Sequence, residues 1–339
     1  MAGPPEELIE NPGRTREGRQ TGRDVLSDVL RSVRLSGSLQ FCLIPSGTWQ
    51  TDTERYLAVA GRNPPNTMPL HIVVDGTCWL KTDDGVAVLA AGDLVALPFG
   101  AGHQLGFGSG GRLIAPLDDL PPRPWYELPV LRYGEEEPTT RLLCGYLRCD
   151  ALGFHPLRNA LPQLLHVKTR GKNEGWLAAT INQMVSEVDH QRPGGSSMLE
   201  RLTEIVLIEL LRHIATTQPA SNGWLAALAD PSLGKCLYLI HSDPKREWSI
   251  PDLSTASGLS RTTLTEKFEA MLQTSPMRYV RDWRLYLASV SLRTTNAGIA
   301  AIGTEAGYGT EAAFNRAFSR AYGSPPALWR QTMRQSRAG

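Results

Sequence analysis

The spacing of apolar and polar positions changes twice along this chain. Between Leu39 and Leu147 the apolar residues come in short runs: SLQFCLI, ERYLAVAG, LHIVVDGTCWLKT, VAVLAAGDLVALP, HQLGF and RLLCGYLRCD. Glycine, proline and aspartate separate these runs at the intervals of a barrel or sandwich. A short helix, DVLSDVLRSVRL, is predicted ahead of them. The stretch Asp118 to Pro138 is rich in proline and acid and reads as a surface loop rather than a strand pair. From 156 to 217 the period lengthens, and PLRNALPQLLHV, WLAATINQMVSEVDHQ and SSMLERLTEIVLIELLRHIATT predict helices. In the last of these Met198, Leu202, Ile205, Ile208 and Leu211 form one stripe, and Leu199, Val206 and Leu210 a second. A helix apolar on two sides needs two partners. One is the barrel or a neighbouring helix; the other is either the same helix of a second subunit, making a homodimer, or the interior of the monomer.

The third pattern lies near the end. Ser249 and Asp252 form a capping-box start, and Pro251 is tolerated in a first turn. Leu253 and Ala256 share a face, Gly258 permits a reversal, and Ser260 caps a second helix carrying Leu264, Phe268, Met271 and Leu272. Helix, glycine turn and capped helix make a helix-turn-helix. The pattern recurs 50 residues later, matching Ala256 to Ala306, Leu264 to Phe314, Phe268 to Phe318, Leu272 to Tyr322, Pro276 to Pro326, Tyr279 to Trp329 and Arg284 to Arg334. Between the copies Val280, Trp283, Leu287 and Val290 mark one longer helix. Two such units on a rigid helix suit successive major-groove segments of DNA, about 34 Å apart.

The chain has 339 residues, which predicts two domains, and a formal net charge of +1. Charge is unevenly placed: residues 230–339 hold 14 Lys and Arg against 9 Asp and Glu, a local net of +5 that leaves −4 upstream. Double-stranded DNA is the partner this distribution suits. No apolar run is long enough to cross a membrane and no secretory core stands at the start, so a cytoplasmic protein is expected, with residues 1–20 a disordered tail. Five cysteines, at 42, 78, 144, 149 and 236, do not suggest a disulfide framework in such a protein. Cys78, Cys149 and Cys236 read as core.

LSRTTLTEKFEAMLQTSPMRYVRDWRL and IAAIGTEAGYGTEAAFNRAFSRAYGSPPALWR closely resemble the DNA-binding domain of the AraC/XylS transcriptional regulators, over roughly the last hundred residues. The resemblance implies that Thr262, Thr265 and Glu266 in the first unit, and Glu311, Ala312, Asn315 and Arg316 in the second, point to base edges, with Arg261 and Lys267 flanking near phosphates. Arg316 would pair with guanine, Asn315 with adenine, and the glutamates with cytosine amines. A solvated helix face would carry similar residues. For an activator of this family RNA polymerase is a further partner. Gln273 departs from the pattern, standing where the second unit keeps Gly323. A left-handed Gln costs about 1 kcal/mol, so the first helix is expected to end differently.

Gly92-Asp-Leu-Val-Ala-Leu-Pro98-Phe-Gly100-Ala-Gly-His103 resembles the second motif of the cupin barrels, and LHIVVDGTCWL stands in the place of the first. Of the first motif's ligands only His71 is kept, which argues against a cupin enzyme. Residues 25–165 resemble the cupin-type sensor of one branch of AraC-like regulators, which includes responders to reactive chlorine. That likeness implies a quartet of Cys42, His71, His103 and Cys144. Two thiolates and two imidazoles at about 2.0–2.3 Å would hold Zn2+ in a closed tetrahedron, structural or redox-responsive. The alternative is a metal-free barrel that takes a small organic effector against Trp49, Trp79 and Phe107. Each of these residues also fits an ordinary core.

The expected architecture is therefore α+β: a cupin-like β-barrel followed by helices, then an all-α domain with two helix-turn-helix motifs. The expected divisions are a tail over 1–20, the barrel over 21–165, helices and a linker over 166–222, and a DNA-binding domain over 223–339 with its units near 250–272 and 298–322. A transcription regulator with a sensor barrel, responding to an oxidant or a small molecule, fits best. A cupin enzyme with an accessory DNA module lacks any paired carboxylate or Ser/His/Asp set. A constitutive DNA-binding scaffold with an inert barrel remains the third class.

Overall fold

The computed structural model describes residues 27, 35–53, 67–149, 154, 158, 161–168, 175–217 and 223–335. The expected tail, the DVLSDVLRSVRL helix beyond Ser27 and Leu35, the ERYLAVAG strand and residues 218–222 of the linker lie outside them. The first half is a curled, cupin-like sheet of ten described strands: β1 (Leu35–Pro45), β2 (Trp49–Asp52), β3 (Thr67–Thr82), β4 (Gly85–Ala90), β5 (Asp93–Ala96), β6 (Gln104–Phe107), β7 (Arg112–Leu113), β8 (Val130–Tyr133), β9 (Thr140–Cys149) and β10 (Leu165–Lys168). The main path runs β7-β2-β6-β3-β9-β1-β8, with β4 and β5 on β3 and β10 on β5. Two expectations are corrected. Residues 118–138 are not all loop, because β8 pairs in parallel with β1 from Cys42↔Val130 to Pro45↔Tyr133. PLRNALPQLLHV does not end as a helix: its last residues form β10, whose Leu165 and Val167 are buried while His166 meets Asp93 at 3.0 Å.

Two long helices follow, α1 (Gly175–His190) and α2 (Gly195–Thr217). The buried face of α2 is Leu199, Thr203, Val206, Leu207, Leu210, Leu211 and Ile214, laid against β1. The approach is close enough that a Cβ on Gly37 would lie 2.3 Å from the Thr203 methyl. The other stripe is left half open: Leu202, Ile205 and Ile208 are half-buried and Met198 is 46% exposed.

The second half holds α3 (Trp224–Ala229), α4 (Pro231–Ser242), α5 (Ile250–Ser257), α6 (Arg261–Leu272), α7 (Pro276–Thr294), α8 (Ile299–Glu305), α9 (Glu311–Tyr322) and α10 (Pro326–Gln335). The predicted signals carry the geometry. Ser249 and Asp252 make the reciprocal capping box of α5, Gly258 adopts φ 71°, and Ser260 and Thr310 cap α6 and α9 through the amides of Thr263 and Ala313. The duplication is physical. Phe268 meets Tyr279 edge-on at 5.9 Å, and Phe318 meets Trp329 edge-on at 5.7 Å. Arg284 donates to the carbonyls of Pro244 and Arg246, while Arg334 donates to the Thr295 carbonyl and to Asn296 Oδ1. Each arginine thus ties down the chain ahead of its own unit.

The linking helix α7 has 19 residues, about 28 Å at 1.5 Å per residue, and serves two cores. Tyr279, Val280, Trp283 and Tyr286 join a cluster that runs without a break through the first unit, α2 and the outer layer of the sheet. Leu285, Ala288 and Leu292 join a separate cluster with Ile302, Phe314 and Phe318 of the second unit. Among the described residues no helix is long and apolar enough to cross a membrane.

The expectation for Gln273 is also corrected: α6 ends in the same way as α9, with Gln273 at φ 52° and Gly323 at φ 74°. The first unit thus keeps the left-handed cap at the cost of a side chain. Gln273→Gly should raise unfolding free energy by roughly 0.5–1 kcal/mol, readable in urea denaturation, whereas destabilisation would mean that the Gln side chain holds the turn.

Candidate functional site

The sensor-side site lies inside the curl. His71 and Cys144 are register partners on β3 and β9, so their side chains share one face. Cys144 is also paired with Phe41, whereas Cys42 is paired with Leu143. Side chains alternate along a strand, so Cys42 projects to the opposite face, into the cluster under α2, near the Arg141 guanidinium. His103 arrives from the turn ahead of β6, where Gly100 adopts φ 65° and its amide donates to the Leu97 carbonyl.

Three of the four expected ligands meet there. His71 Nδ1 is 3.2 Å from Cys144 Sγ, and His71 Nε2 is 2.8 Å from His103 Nε2. His103 Nδ1 lies 3.0 Å from the Ala101 carbonyl, which can only accept, so Nδ1 carries a proton. The rest of the assignment follows: His103 Nε2 accepts from His71 Nε2–H, and His71 Nδ1 accepts from the Cys144 thiol. Thr53 fixes the His103 backbone, its hydroxyl donating to the His103 carbonyl at 2.6 Å and accepting from the His103 amide at 2.9 Å. Burial holds every member neutral. It pushes His71 well below the usual imidazole range, with the neighbouring His103 adding to it; it lowers His103, and it drives the Cys144 thiol well above the usual thiol range.

This arrangement does not fit the expected zinc site. Cys42 is on the wrong face, and His71 spends one nitrogen on Cys144 and the other on His103, so the donors do not converge on one point. Among the described residues no group of three or more His, Cys, Asp or Glu side chains is set to hold a metal ion. Nor do Cys42 and Cys144 face each other as a disulfide requires.

A cavity of ≈ 80 Å³ opens over the triad, walled by Phe41, Leu43, Leu105, Pro116, Leu117 and Tyr146. The aromatic residues expected around an effector do not line it. Trp49 is buried in the inner core of the sheet. Trp79 lies over Gly106, where a Cβ would come within 2.2 Å of its ring, and its Nε1–H donates to the Gly108 carbonyl at 2.9 Å. Phe107 is the register partner of Trp49 and packs against that same core. The wall residues missed from sequence had one available signal, the period of two: Phe41 and Leu43 flank Cys42, and Tyr146 follows Cys144 on the same face.

On the DNA-binding side, α6 and α9 bury Leu264, Phe268, Phe314 and Phe318 and turn their opposite faces out. Arg261, Thr262, Glu266, Glu311, Ala312 and Arg316 are exposed; Thr265 and Asn315 are half-buried. The Thr265 hydroxyl donates back to the Arg261 carbonyl at 3.0 Å. Lys267 departs from its expected phosphate-facing role. Its Nζ is 2.7 Å from Asp230, whose carboxylate also caps α4 through the amides of Ser232 and Leu233.

A cupin family model matches residues 24–216, and a helix-turn-helix domain model matches residues 253–332. A putative AraC-like transcription regulator of Streptomyces lividans is 31% identical, covering 91% of this chain and 98% of its own. The HTH-type transcriptional regulator AlkR of Acinetobacter baylyi is 27% identical, with 91% and 99% covered. The RCS-specific HTH-type transcriptional activator RclR of Escherichia coli is 20% identical, with 92% and 99% covered. The chain belongs to the AraC-like transcription regulators, with a cupin sensor domain and a helix-turn-helix DNA-binding domain.

Proposed function

We propose that this regulator acts without catalysis, as a sequence-specific DNA-binding protein whose output is set by a small molecule entering the cavity above His71, His103 and Cys144. The observation that carries the reading is the unbroken apolar core from the cavity-bearing strands to the first helix-turn-helix unit. Strands β1 and β9 carry cavity residues on one face and pack toward α2 on the other. An occupant that displaces them moves the layer on which the first unit rests. The lining suits a small, largely apolar molecule whose one polar group takes the place of a hydrogen bond within the His71, His103 and Cys144 triad. Thermal-shift screening of the full chain against small organic molecules should yield compounds that raise its melting temperature and alter DNA binding, with both effects lost in His71→Ala. Shifts that persist unchanged in that variant would place the site elsewhere.

A second reading has its own support in the Cys144–His71 contact and the likeness to RclR. Hypochlorous acid would oxidise the Cys144 thiol to a sulfenic acid, with chloride leaving, and the polar group would break the relay to His71. Oxidant-dependent DNA binding that vanishes in Cys144→Ser would favour this reading over the first.

The half-open stripe Met198, Leu202, Ile205 and Ile208 is the face we assign to a second copy of the chain, because β1 already covers the opposite side of the same helix. Analytical ultracentrifugation should give a dimer that Met198→Lys converts to a monomer; a monomeric wild-type chain would contradict this. If the regulator activates, RNA polymerase is its further partner.

A further inference from the structure

The two recognition helices descend from one unit, so their surfaces can be compared position by position. At the offset of 50 residues Arg261 matches Glu311, Glu266 matches Arg316, Glu269 matches Ser319 and Ala270 matches Arg320. All of these but Ser319 are exposed, and Ser319 is half-buried. Past its first turn, then, α6 presents two carboxylates where α9 presents two guanidinium groups. The one cation α6 carries there, Lys267, is held by Asp230. Past the first turn the charge is inverted at the aligned pair Glu266 and Arg316, while the side-chain caps of the two helices, the Phe268/Phe318 core position and the arginine ties were kept.

We infer that the two units divide the work: α9 supplies the sequence-independent hold on DNA, with Arg320 as a phosphate contact, and α6 supplies rejection of wrong sequences, with Glu266 as the discriminating group. A recognition helix enters the major groove with its N-terminal residues at base edges, and later turns pass the sugar-phosphate wall. Arg320, in the third turn, is placed for a phosphate, and neutralising it contributes equally on any sequence. Glu266, one turn into α6, can accept only from a base amine, on cytosine or adenine. On a sequence without that amine it remains an unpaired charge in a field of phosphates, and Glu269 adds to the repulsion. Such a helix seats on the right sequence and is expelled from others. The cores agree with this division. The first unit is continuous with the sensor, whereas the second is packed on its own, so an always-attached anchor and a signal-dependent reader fall on the matching units.

The inference rests on α6 and α9 being the groove-facing helices. Its test uses the full chain, a duplex enriched from a random-sequence library, and a scrambled duplex of the same composition. Arg320→Ala should weaken binding to both duplexes by a similar factor, roughly 10-fold, and lower the slope of log K against log salt by about 1. Glu266→Gln should strengthen binding to the scrambled duplex and cut the ratio between the two by roughly 10-fold. An Arg320→Ala effect confined to the enriched duplex, or an unchanged ratio in Glu266→Gln, overturns the division while leaving the helices in the groove. If neither variant alters binding to either duplex, the groove-facing assignment itself has failed.

Discussion

Phe154→Ala should lower the unfolding free energy of the full chain by about 3–5 kcal/mol, the range for emptying a buried phenylalanine site. Phe154 is 2% exposed and lies on the sensor side of the chain, yet its ring is surrounded by residues from the supporting and linking helices of the DNA-binding half. Trp283 is 5.2 Å away, Tyr279 5.4 Å, Tyr286 5.9 Å, His241 6.3 Å and Trp224 6.5 Å, between ring centroids. Helices α3, α4 and α7 all contribute to this socket, so removing the ring loosens three elements together. The expected signature is a split of one urea transition into two, because this plug is part of what makes the core continuous between the halves. Phe154→Leu, which refills most of the volume, should cost much less. A single transition with a loss under about 1 kcal/mol in Phe154→Ala would mean that the halves are joined elsewhere.

Acid should destabilise the protein through His241. Its Nε2 is 2.7 Å from the Tyr279 hydroxyl, which also accepts from Trp224 Nε1–H at 2.7 Å. The Tyr279 hydroxyl can thus accept from Trp224 and give its own proton to His241 Nε2. Nδ1 is buried with no partner, and burial pulls the imidazole down to about 3. Protonation would put a cation among aromatic rings. The folded value lies below the unfolded one, about 6.5, so the unfolded chain takes up the proton first. The contribution is fully present above pH 6.5 and is lost progressively as pH falls from 6.5 toward 3, on the order of 5 kcal/mol in all. His71 and His103, also lowered by burial, act in the same sense. Urea denaturation between pH 7 and pH 4 should show stability falling with pH, and His241→Gln should reduce the slope by close to one proton. Parallel curves for the two proteins would show that His241 is not the group that titrates.

The helical half was legible because its signals are local and occur twice. Capping residues, the Gly258 reversal and the 50-residue repeat each fix backbone geometry within a few positions, and the repeat identifies the buried set without reference to anything distant. Gln273 marks the limit of that logic. Propensity argued against a left-handed Gln, but the packing of α6 and α7 imposes the same cap as in the second unit. The sheet was less legible, because the face of a strand turns on a single residue. The resemblance points to Cys42, yet Phe41 is the partner of Cys144 and Cys42 points away, a difference set by register between strands about a hundred residues apart. The aromatics differ for a related reason: Trp79 fills the gap over Gly106 and Trp49 is taken into the inner core beside it, placements that only the pairing of β2, β3 and β6 creates. The resemblance gives Lys267 to a phosphate because its partner, Asp230, stands in the cap of a different helix, 37 residues away.

The central claim is that two duplicated units on one stiff helix engage adjacent stretches of the same groove under the control of the sensor half. Hydroxyl-radical footprinting of the full chain on its enriched duplex tests this most directly. The account predicts two protected patches on one face of the DNA, about 10 base pairs apart from centre to centre. A single patch, or two on opposite faces, would contradict it.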